Sequence, residues 1–245
     1  MFGPRLGGGI SSTQPAVSDD ALESWGIDQL TFGTRPIVEV ATGAVVAEEA
    51  TVQYADDRIW SQASDPSIGT LDGDPAFIVN TWMVATAARE RIRQFIAVPV
   101  FQSYLADDDF VESFKNEVRS GAGDPSKMML IVGPWIGDVD DWPKIQRLRS
   151  HGIKVALDLA AGQANELSPN PEPDFGDLMR RFSFDLVRIG LDQGTQASRA
   201  FAVVKMAANL GCQAMADVDD EPALMAMVQE LDVELAVGAP VFVSN

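Results

Sequence analysis

The stretch RPIVEVATGAVVAEEATVQ, at positions 35–53, decides the fold of this chain. It contains two segments rich in β-branched residues on either side of Thr42-Gly43, a pair that is typical of a tight turn. A carboxylate, Glu49, lies near the end of the second segment. The stretch therefore predicts two short strands, within residues 29–54, joined by a turn.

Beyond this hairpin, short apolar segments alternate with segments of helical periodicity. The predicted strands are 95–101, 128–132, 153–157, 186–189, 213–216 and 235–237, and the predicted helices are 107–119, 142–150, 177–182, 195–210 and 221–231. Continuous apolar strands separated by helices indicate a mostly parallel sheet covered by helices. Over this length the pattern predicts an α/β barrel of the triosephosphate-isomerase type.

The composition bounds the organisation of the chain. Residues 1–17 are rich in Gly and Ser and predict a flexible linker, with the folded domain spanning 18–245 and starting at a helix capped by Ser18. The single cysteine, Cys212, excludes an intramolecular disulfide and fits a small core residue. No signal peptide or apolar span is evident, which predicts a cytoplasmic domain without membrane contact of its own, tethered to the inner membrane, if at all, through a segment outside this chain.

The net charge of the chain limits the classes of ligand that it can bind. A formal net charge of −18 repels the backbone of long nucleic acids, so DNA and RNA are not expected partners. A small anionic ligand is still compatible, because a few well-placed arginines bind one or two phosphates in a chain of either net sign.

Four segments together carry a resemblance to a known family. The hairpin resembles the opening signature of the EAL family, bacterial phosphodiesterases that hydrolyse cyclic di-GMP, with Glu49-Ala50-Thr51 where E-A-L belongs. Arg35 replaces a glutamine of the family and Gln53 an arginine. The segments LRSHGIKVALD (148–158), FDLVRIG (184–190) and ADVDDE (216–221) resemble later family motifs in the same order. The resemblance implies an EAL-type (β/α)8 barrel whose first strand is antiparallel.

The resemblance also implies where metal ligands would lie. Active members hold metal ions with the E-A-L glutamate, an asparagine, a second glutamate and paired aspartates, because hard divalent ions prefer such oxygens. Two of these positions are kept, as Glu49 and Asp158. Three have become groups that cannot coordinate a metal, namely Pro99, Ile131 and Leu159, while Arg188 replaces a lysine and Gly190 an aspartate. This pattern predicts no catalytic residues, no metal cofactor and no enzyme activity.

Seven residues are candidates for binding the nucleotide: Arg35, Glu49, Thr51, Gln53, Asp158, Arg188 and Asp217. The two arginines could bind the phosphates of a cyclic dinucleotide or simply neutralise neighbouring carboxylates. Glu49 could contact the ligand or be a solvated carboxylate. Asp158 could contact the ligand or merely cap the turn that follows its strand. Asp217 could contact a guanine or belong to an acidic helix N-terminus with residues 219–221.

Three hypotheses for function follow. The leading one is a degenerate EAL domain that acts as a cyclic di-GMP receptor without a metal and signals to a protein effector, as receptor-type EAL domains do in flagellar or polar assembly. The alternative is an interaction module that has also lost the nucleotide. The third is a residual phosphodiesterase.

Overall fold

The chain is described here from a computed structural model. The structure describes residues 31–53, 59–60, 83–84, 86–87, 95–100, 105, 109–120, 124–133, 136, 142–159, 175–191, 197–218 and 222–238. The predicted linker over 1–17, the helix that would begin at Ser18 and the proline-rich segment 160–173 lie outside these residues. None of the helices in the described ranges is both long and apolar enough to cross a membrane.

The predicted hairpin consists of strand β1 (Thr31–Glu39) and strand β2 (Val45–Gln53), paired antiparallel. The loop between them is closed by reciprocal backbone hydrogen bonds of Glu39 with Gly43 and Ala44. Thr42 stabilises the turn, because its hydroxyl donates to Glu39 and accepts from the Ala44 N–H. Gly43 has a φ of 69°, a conformation that glycine adopts at low cost.

The remaining strands complete a closed barrel. They are β3 (Ile59–Trp60), β4 (Phe95–Val100), β5 (Met128–Val132), β6 (Lys154–Asp158), β7 (Leu186–Leu191), β8 (Gln213–Val218) and β9 (Leu235–Val237). The order is β1-β9-β8-β7-β6-β5-β4-β2, and the β1–β2 pairing closes the ring, with β3 added beside β2. Strand β1 is antiparallel to both of its neighbours, and every other pair in the ring is parallel.

The inside of the barrel is filled by one apolar layer, to which each of the eight ring strands contributes one side chain. This inner layer consists of Ile37, Ala47, Ala97, Ile131, Ala156, Leu186, Met215 and Val237, all of them buried. Because side chains two residues apart on a strand point to the same side, the next inward positions lie directly above this layer.

The outside of the barrel packs against amphipathic helices. These are α1 (Phe110–Ser120), α2 (Trp142–Arg149), α3 (Phe175–Arg181), α4 (Ala197–Asn209) and α5 (Pro222–Glu230). In α1, Phe110, Phe114 and Val118 recur at helical spacing and are buried in one large apolar cluster with the outward-facing strand residues. The cluster covers the outer face of the strands with buried apolar side chains.

The predicted barrel with an antiparallel first strand is confirmed, and three strands run further than the sequence pattern indicated. β6 includes Asp158, β7 continues to Leu191, and β8 continues to Val218. The apolar pattern understated β6 and β8 because Asp158 and Asp217, at their carboxyl ends, are polar side chains that point into the barrel, and it understated β7 because Gly190 interrupts the apolar run. Cys212 is buried just before β8, and His151, the lone histidine, lies exposed in the turn after α2.

Candidate functional site

Five charged side chains form the layer above the inner apolar layer. Each lies one inward position further along its strand than its inner-layer neighbour: Glu49 above Ala47, Asp158 above Ala156, Arg188 above Leu186 and Asp217 above Met215. Arg35 precedes Ile37 by two residues instead, because β1 runs in the opposite direction. The five residues Arg35, Glu49, Asp158, Arg188 and Asp217, here called the mouth cluster, lie toward the carboxyl ends of the parallel strands, the end at which barrel proteins bind ligands.

Glu49 bridges the two arginines of the mouth cluster. Its Oε2 accepts a hydrogen bond from Arg35 Nη2 at 2.6 Å, and its Oε1 accepts one from Arg188 Nη1. Arg188 Nη2 donates to Asp158 Oδ2, across neighbouring strands in which the two residues are in register. Glu49, Asp158 and Arg188 are all buried, so these are charge-assisted bonds largely removed from water.

Asp217 is held less tightly and nearer to solvent. Its two carboxylate oxygens each lie 3.3 Å from a terminal nitrogen of Arg35, and its Oδ2 lies 3.6 Å from Arg188 Nη1. The side chains of Asp217 and Arg35 retain 20% and 23% of their exposure, against 3% for Glu49. Asp217 and Arg35 therefore form the outer edge of the mouth cluster, while Glu49, Asp158 and Arg188 form its floor.

The pKa shifts within the mouth cluster follow from burial opposed by charge. Burial by itself raises the pKa of Glu49, but Arg188 and Arg35 outweigh it and hold that pKa below its ordinary value. Burial by itself lowers the pKa of both arginines, but the facing carboxylates outweigh it. The pKa of Arg35 is therefore raised, and the pKa of Arg188 is raised well above its ordinary value.

Asp217 behaves differently from Glu49. Burial raises its pKa, and the two arginines do not offset this, partly because the negative charge of Glu49 adds to the burial. With all five side chains ionised, two positive and three negative charges leave the mouth cluster with one net negative charge. Asp217 is the member whose negative charge is least favoured.

Three buried polar atoms of this region have no hydrogen-bond partner among the described residues: Arg35 Nε, Arg188 Nε and Thr51 Oγ1. An unpaired buried donor or acceptor is uncommon in a folded protein and is a site at which a ligand or water can bind. Thr51 lies one inward position beyond Glu49 on β2 and is itself buried. The arginine Nε atoms and the Thr51 hydroxyl thus give the mouth cluster unused hydrogen-bonding capacity.

One residue that the sequence analysis missed supports the mouth cluster. Gly238 follows β9 with a φ of 96°, and a Cβ at this position would overlap the carbonyl oxygen of Val218. The same Cβ would lie 3.2 Å from Asp217 Oδ1 and 3.4 Å from Arg35 Nη1. A glycine at the end of the last strand lets the backbone pass close to the Arg35–Asp217 pair, and the Val-Gly sequence there was the available signal.

The predicted site residues are only partly brought together. Arg35, Glu49, Asp158, Arg188 and Asp217 contact one another, and Thr51 lies next to them along β2. Asp217 belongs to β8 and precedes α5 by five residues, so the alternative of an acidic helix N-terminus is wrong for it. Of Gln53 the structure describes the backbone alone, which pairs with Thr31.

Two of the three replaced ligand positions are neighbours, because Pro99 and Ile131 are in register on the adjacent strands β4 and β5. Ile131 is part of the inner apolar layer, and Pro99 is half-buried one inward position beyond Ala97. Leu159 points outward into the cluster beneath the helices, because it follows the inward-pointing Asp158. Its backbone N–H donates to the Arg188 carbonyl at 2.8 Å.

The mouth cluster as arranged does not fit a divalent cation. The two carboxylates at positions of metal ligands, Glu49 and Asp158, both have an oxygen bonded to the guanidinium of Arg188. A divalent cation bound between the two carboxylates would have to displace that guanidinium, because the cation and the guanidinium would compete for these carboxylate oxygens. Within the described part of the chain, no group of three or more His, Cys, Asp or Glu side chains is arranged to hold a metal ion.

Comparisons of sequence find no relative: no protein-family model and no curated protein matches the chain. Comparisons of structure do. The barrel is similar to that of the MucR phosphodiesterase in a cyclic di-GMP complex, with 17% identity and a TM-score of 0.69 over 86% of this chain and 94% of that one. It is also similar to the EAL domain of Mycobacterium smegmatis DcpA, with 20% identity and a TM-score of 0.64 over 85% and 90% of the two chains.

A third similar structure is Klebsiella pneumoniae BlrP1 in a complex with calcium and cyclic di-GMP, with 18% identity and a TM-score of 0.65. The match covers 86% of this chain and 54% of BlrP1, so the chain spans just over half the length of that protein. The prediction that this chain is not an enzyme is wrong in the light of these comparisons, because a structure with the same barrel is described as a phosphodiesterase. At these identities the similarity establishes architecture, and the chain therefore has the EAL-type (β/α)8 barrel fold.

Proposed function

We propose that this domain binds cyclic di-GMP at the mouth of its barrel and passes the state of occupancy to a protein partner. The observation that carries the proposal is the convergence of two guanidinium groups, of Arg35 and Arg188, on the open end of an EAL-type barrel. Two structures with this fold, MucR and BlrP1, were solved with cyclic di-GMP bound. The ligand class fits the site, because cyclic di-GMP carries two phosphodiester anions and arginine binds such groups through paired N–H donors.

The bonds of Arg35 indicate how a phosphate would enter. Arg35 is the more exposed arginine and presents its two terminal nitrogens to the two oxygens of Asp217 at 3.3 Å. This is the end-on geometry of an arginine–carboxylate pair, but its distances are longer than the value of about 2.7–2.9 Å that is usual for charge-assisted bonds. A phosphate presents oxygens in a similar arrangement, so it would replace Asp217 on Arg35 while the shorter Arg35–Glu49 bond stays in place.

We further propose that this binding needs no metal ion. In the mouth cluster the positive charge that faces the ligand comes from the guanidinium groups, and Glu49 and Asp158 are already occupied by Arg188. The affinity should therefore be unaffected by a chelator. It should fall with rising salt, since part of the attraction is between a partly exposed arginine and an anion.

The proposed output is a protein contact. The mouth cluster joins β1, β2, β6, β7 and β8 through side-chain bonds, so a ligand that replaces one of these bonds changes how several strands are held at that end. The expectation that the partner belongs to flagellar or polar assembly, and that the domain is tethered at the inner membrane, rests on the resemblance to receptor-type EAL domains.

The competing proposal is an interaction module that has lost the nucleotide. Its support is the net negative charge of the mouth cluster, in which three carboxylates face two arginines. In that case the arginines serve only to neutralise the carboxylates, and Asp217 keeps its place on Arg35.

Isothermal titration with cyclic di-GMP separates the two proposals. The wild-type chain is titrated in EDTA and again in Mg²⁺ or Mn²⁺, and the product mixture is analysed by chromatography for linear pGpG, which measures hydrolysis directly. The variant Arg35→Ala is compared with Arg147→Ala, which makes the same change of net charge at an arginine whose side chain is 62% exposed on α2.

The expected result is saturable binding with the same dissociation constant in EDTA and in metal. Arg35→Ala should weaken binding by about 1–3 kcal/mol, or roughly 5–150-fold, the scale of one charge-assisted contact. Arg147→Ala should leave the affinity unchanged. No binding by the wild-type chain would favour the interaction module. An equal loss in both variants would show that binding depends on net charge and would remove Arg35 from the site.

A further inference from the structure

We infer that the guanidinium of Arg188 is the resident cation of the barrel mouth, occupying the place between Glu49 and Asp158 that a divalent ion would otherwise take. The natural chain therefore recruits no divalent ion there, and removal of this one side chain converts the mouth cluster into a cation site. The inference concerns the same site as the proposed function and explains its independence of metal. It makes no use of nucleotide binding.

The first step is the geometry of the fork. Arg188 directs Nη1 to Glu49 Oε1 and Nη2 to Asp158 Oδ2, so one planar group bonds two carboxylates that come from opposite sides of it. Its Nη1 is also 3.6 Å from Asp217 Oδ2. Three carboxylates from β2, β6 and β8 thus surround a single buried positive group, an arrangement that a divalent cation with oxygen ligands also produces.

The second step is charge. With Arg188 in place, the ionised mouth cluster carries one net negative charge. Without it, three carboxylates would face Arg35 alone, and the net charge would be two negative units in a region largely closed to water. Burial strengthens the attraction of a cation to such a group, because the local dielectric constant is low. A divalent ion would neutralise the emptied cluster completely.

The third step separates position from charge. Arg35 carries the same charge as Arg188 and bonds the same Glu49, but it bonds the other oxygen and has no bond to Asp158. Removing Arg35 also makes the mouth cluster more negative by one unit, while Arg188 still holds Glu49 and Asp158. If net charge alone governed cation binding, both removals would create a site. If the resident guanidinium governs it, only removal of Arg188 does.

The experiment measures Mn²⁺ binding to nucleotide-free protein from the electron paramagnetic resonance signal of free Mn²⁺. The variants are Arg188→Ala, Arg35→Ala, Glu49→Gln and the double variant Arg188→Ala with Glu49→Gln. Arg188→Met is included because it keeps most of the buried stem if the alanine variant fails to fold, and circular dichroism reports folding. Because no nucleotide is present, a failure of the proposed function does not affect the outcome.

The expected result is one Mn²⁺ per chain in Arg188→Ala or Arg188→Met, with a dissociation constant at least about tenfold lower than in the wild-type chain, since oxygen-rich, anionic sites bind such ions best. The Mn²⁺ site should be lost in the double variant, and Arg35→Ala should bind Mn²⁺ no more tightly than the wild-type chain does. Binding of one Mn²⁺ by the wild-type chain that Glu49→Gln abolishes would overturn the inference. So would equal gains in Arg35→Ala and Arg188→Ala, or no gain in a folded Arg188 variant.

Discussion

Replacing Glu49 by glutamine tests whether the mouth cluster stabilises the barrel. Glutamine has nearly the same shape as glutamate and keeps one acceptor oxygen, but its other terminal group is an NH₂ donor that would face a guanidinium. Glu49 bonds Arg35 through one oxygen and Arg188 through the other, so one of the two arginines must lose its partner. The substitution therefore removes a buried charge without creating a cavity.

The magnitude follows from what each arginine retains. Removing one partner of a buried ion pair costs about 3–5 kcal/mol when the other charge is left alone. Here Arg188 keeps Asp158 and Arg35 keeps Asp217, so we expect a loss of about 2–4 kcal/mol in the free energy of unfolding, closer to the loss of one or two charge-assisted bonds. For a domain of this size that lowers the melting temperature by roughly 4–16 °C.

The effect should depend on pH in one direction. The pKa of Glu49 is lower in the folded chain than its ordinary value, because burial is outweighed by Arg188 and Arg35. The stabilisation is therefore present above the pKa of an unfolded glutamate, about 4.3, and is lost as the pH falls through the lower folded-state pKa. The difference between the wild-type chain and Glu49→Gln should shrink in that acidic range.

The assay is urea denaturation followed by circular dichroism at several pH values, with Glu112→Gln as the matched control. Glu112 also faces a lysine and an arginine, yet its side chain is 53% exposed on α1. The control changes the net charge equally, and its unfolding midpoint should stay close to that of the wild-type chain, since exposed ion pairs contribute little. If Glu49→Gln were no less stable than Glu112→Gln at pH 7, the reasoning about buried pairing would be refuted.

Three further outcomes are expected. Burial raises the pKa of Asp217 in the folded chain, so the charged carboxylate lowers the stability of the fold above that raised pKa. Asp217→Asn should therefore have a urea midpoint at pH 7 equal to or above that of the wild-type chain. A loss of stability as large as that of Glu49→Gln would contradict this. Gly211→Ala, with a φ of 70° and no atom within 4 Å of the new Cβ, should lower the free energy of unfolding by only about 1–2 kcal/mol of backbone strain. Gly238→Ala should lower it by more than Gly211→Ala does, because its Cβ also overlaps the Val218 carbonyl oxygen, and equal losses in the two variants would argue against this close approach. Burial raises the pKa of the Cys212 thiol to about 12, so Ellman's reagent should modify it at pH 8 only as the chain unfolds, and rapid modification of the folded chain would show that the thiol is accessible.

The fold could be predicted from the sequence because its signals are periodic and local. The Thr42-Gly43 turn, the apolar strands and the helical spacing of residues such as Phe110 and Phe114 each follow from nearest-neighbour geometry. The resemblance then indicated the direction of the first strand. The ends of β6 and β8 could not be read in the same way, because Asp158 and Asp217 are polar and strand patterns assign polar residues to loops, and the end of β7 was missed at Gly190, a residue that such patterns assign to turns.

The members of the mouth cluster, and the pairing of its arginines with neighbouring carboxylates, were predictable, but the individual bonds were not. The motif positions identified Glu49, Asp158, Arg188 and Asp217, since each occupies a position that the resemblance implies for ligand or metal contacts. Which oxygen each arginine would bond depends on side-chain conformations and on the stagger between strands, for which a linear pattern has no signal. Gly238 was missed for a related reason: its φ of 96° and its close approach to the Val218 carbonyl exist only in the folded chain.

The layering of the barrel determines how an anion can reach the arginines. Below the mouth cluster the inner layer is apolar, and within the mouth cluster Asp217 and Arg35 are the more exposed members. Because Arg35 is already bonded to Asp217, an anion that binds Arg35 there exchanges places with the carboxylate. Because burial and Glu49 already disfavour the charge on Asp217, this exchange is less costly there than at Glu49 or Asp158, each of which holds Arg188 by a short buried bond. Arg188, in contrast, is bonded to two buried carboxylates, Glu49 and Asp158. The mouth cluster therefore combines a more exposed Arg35–Asp217 pair, at which an anion can exchange, with a buried guanidinium that stays in place.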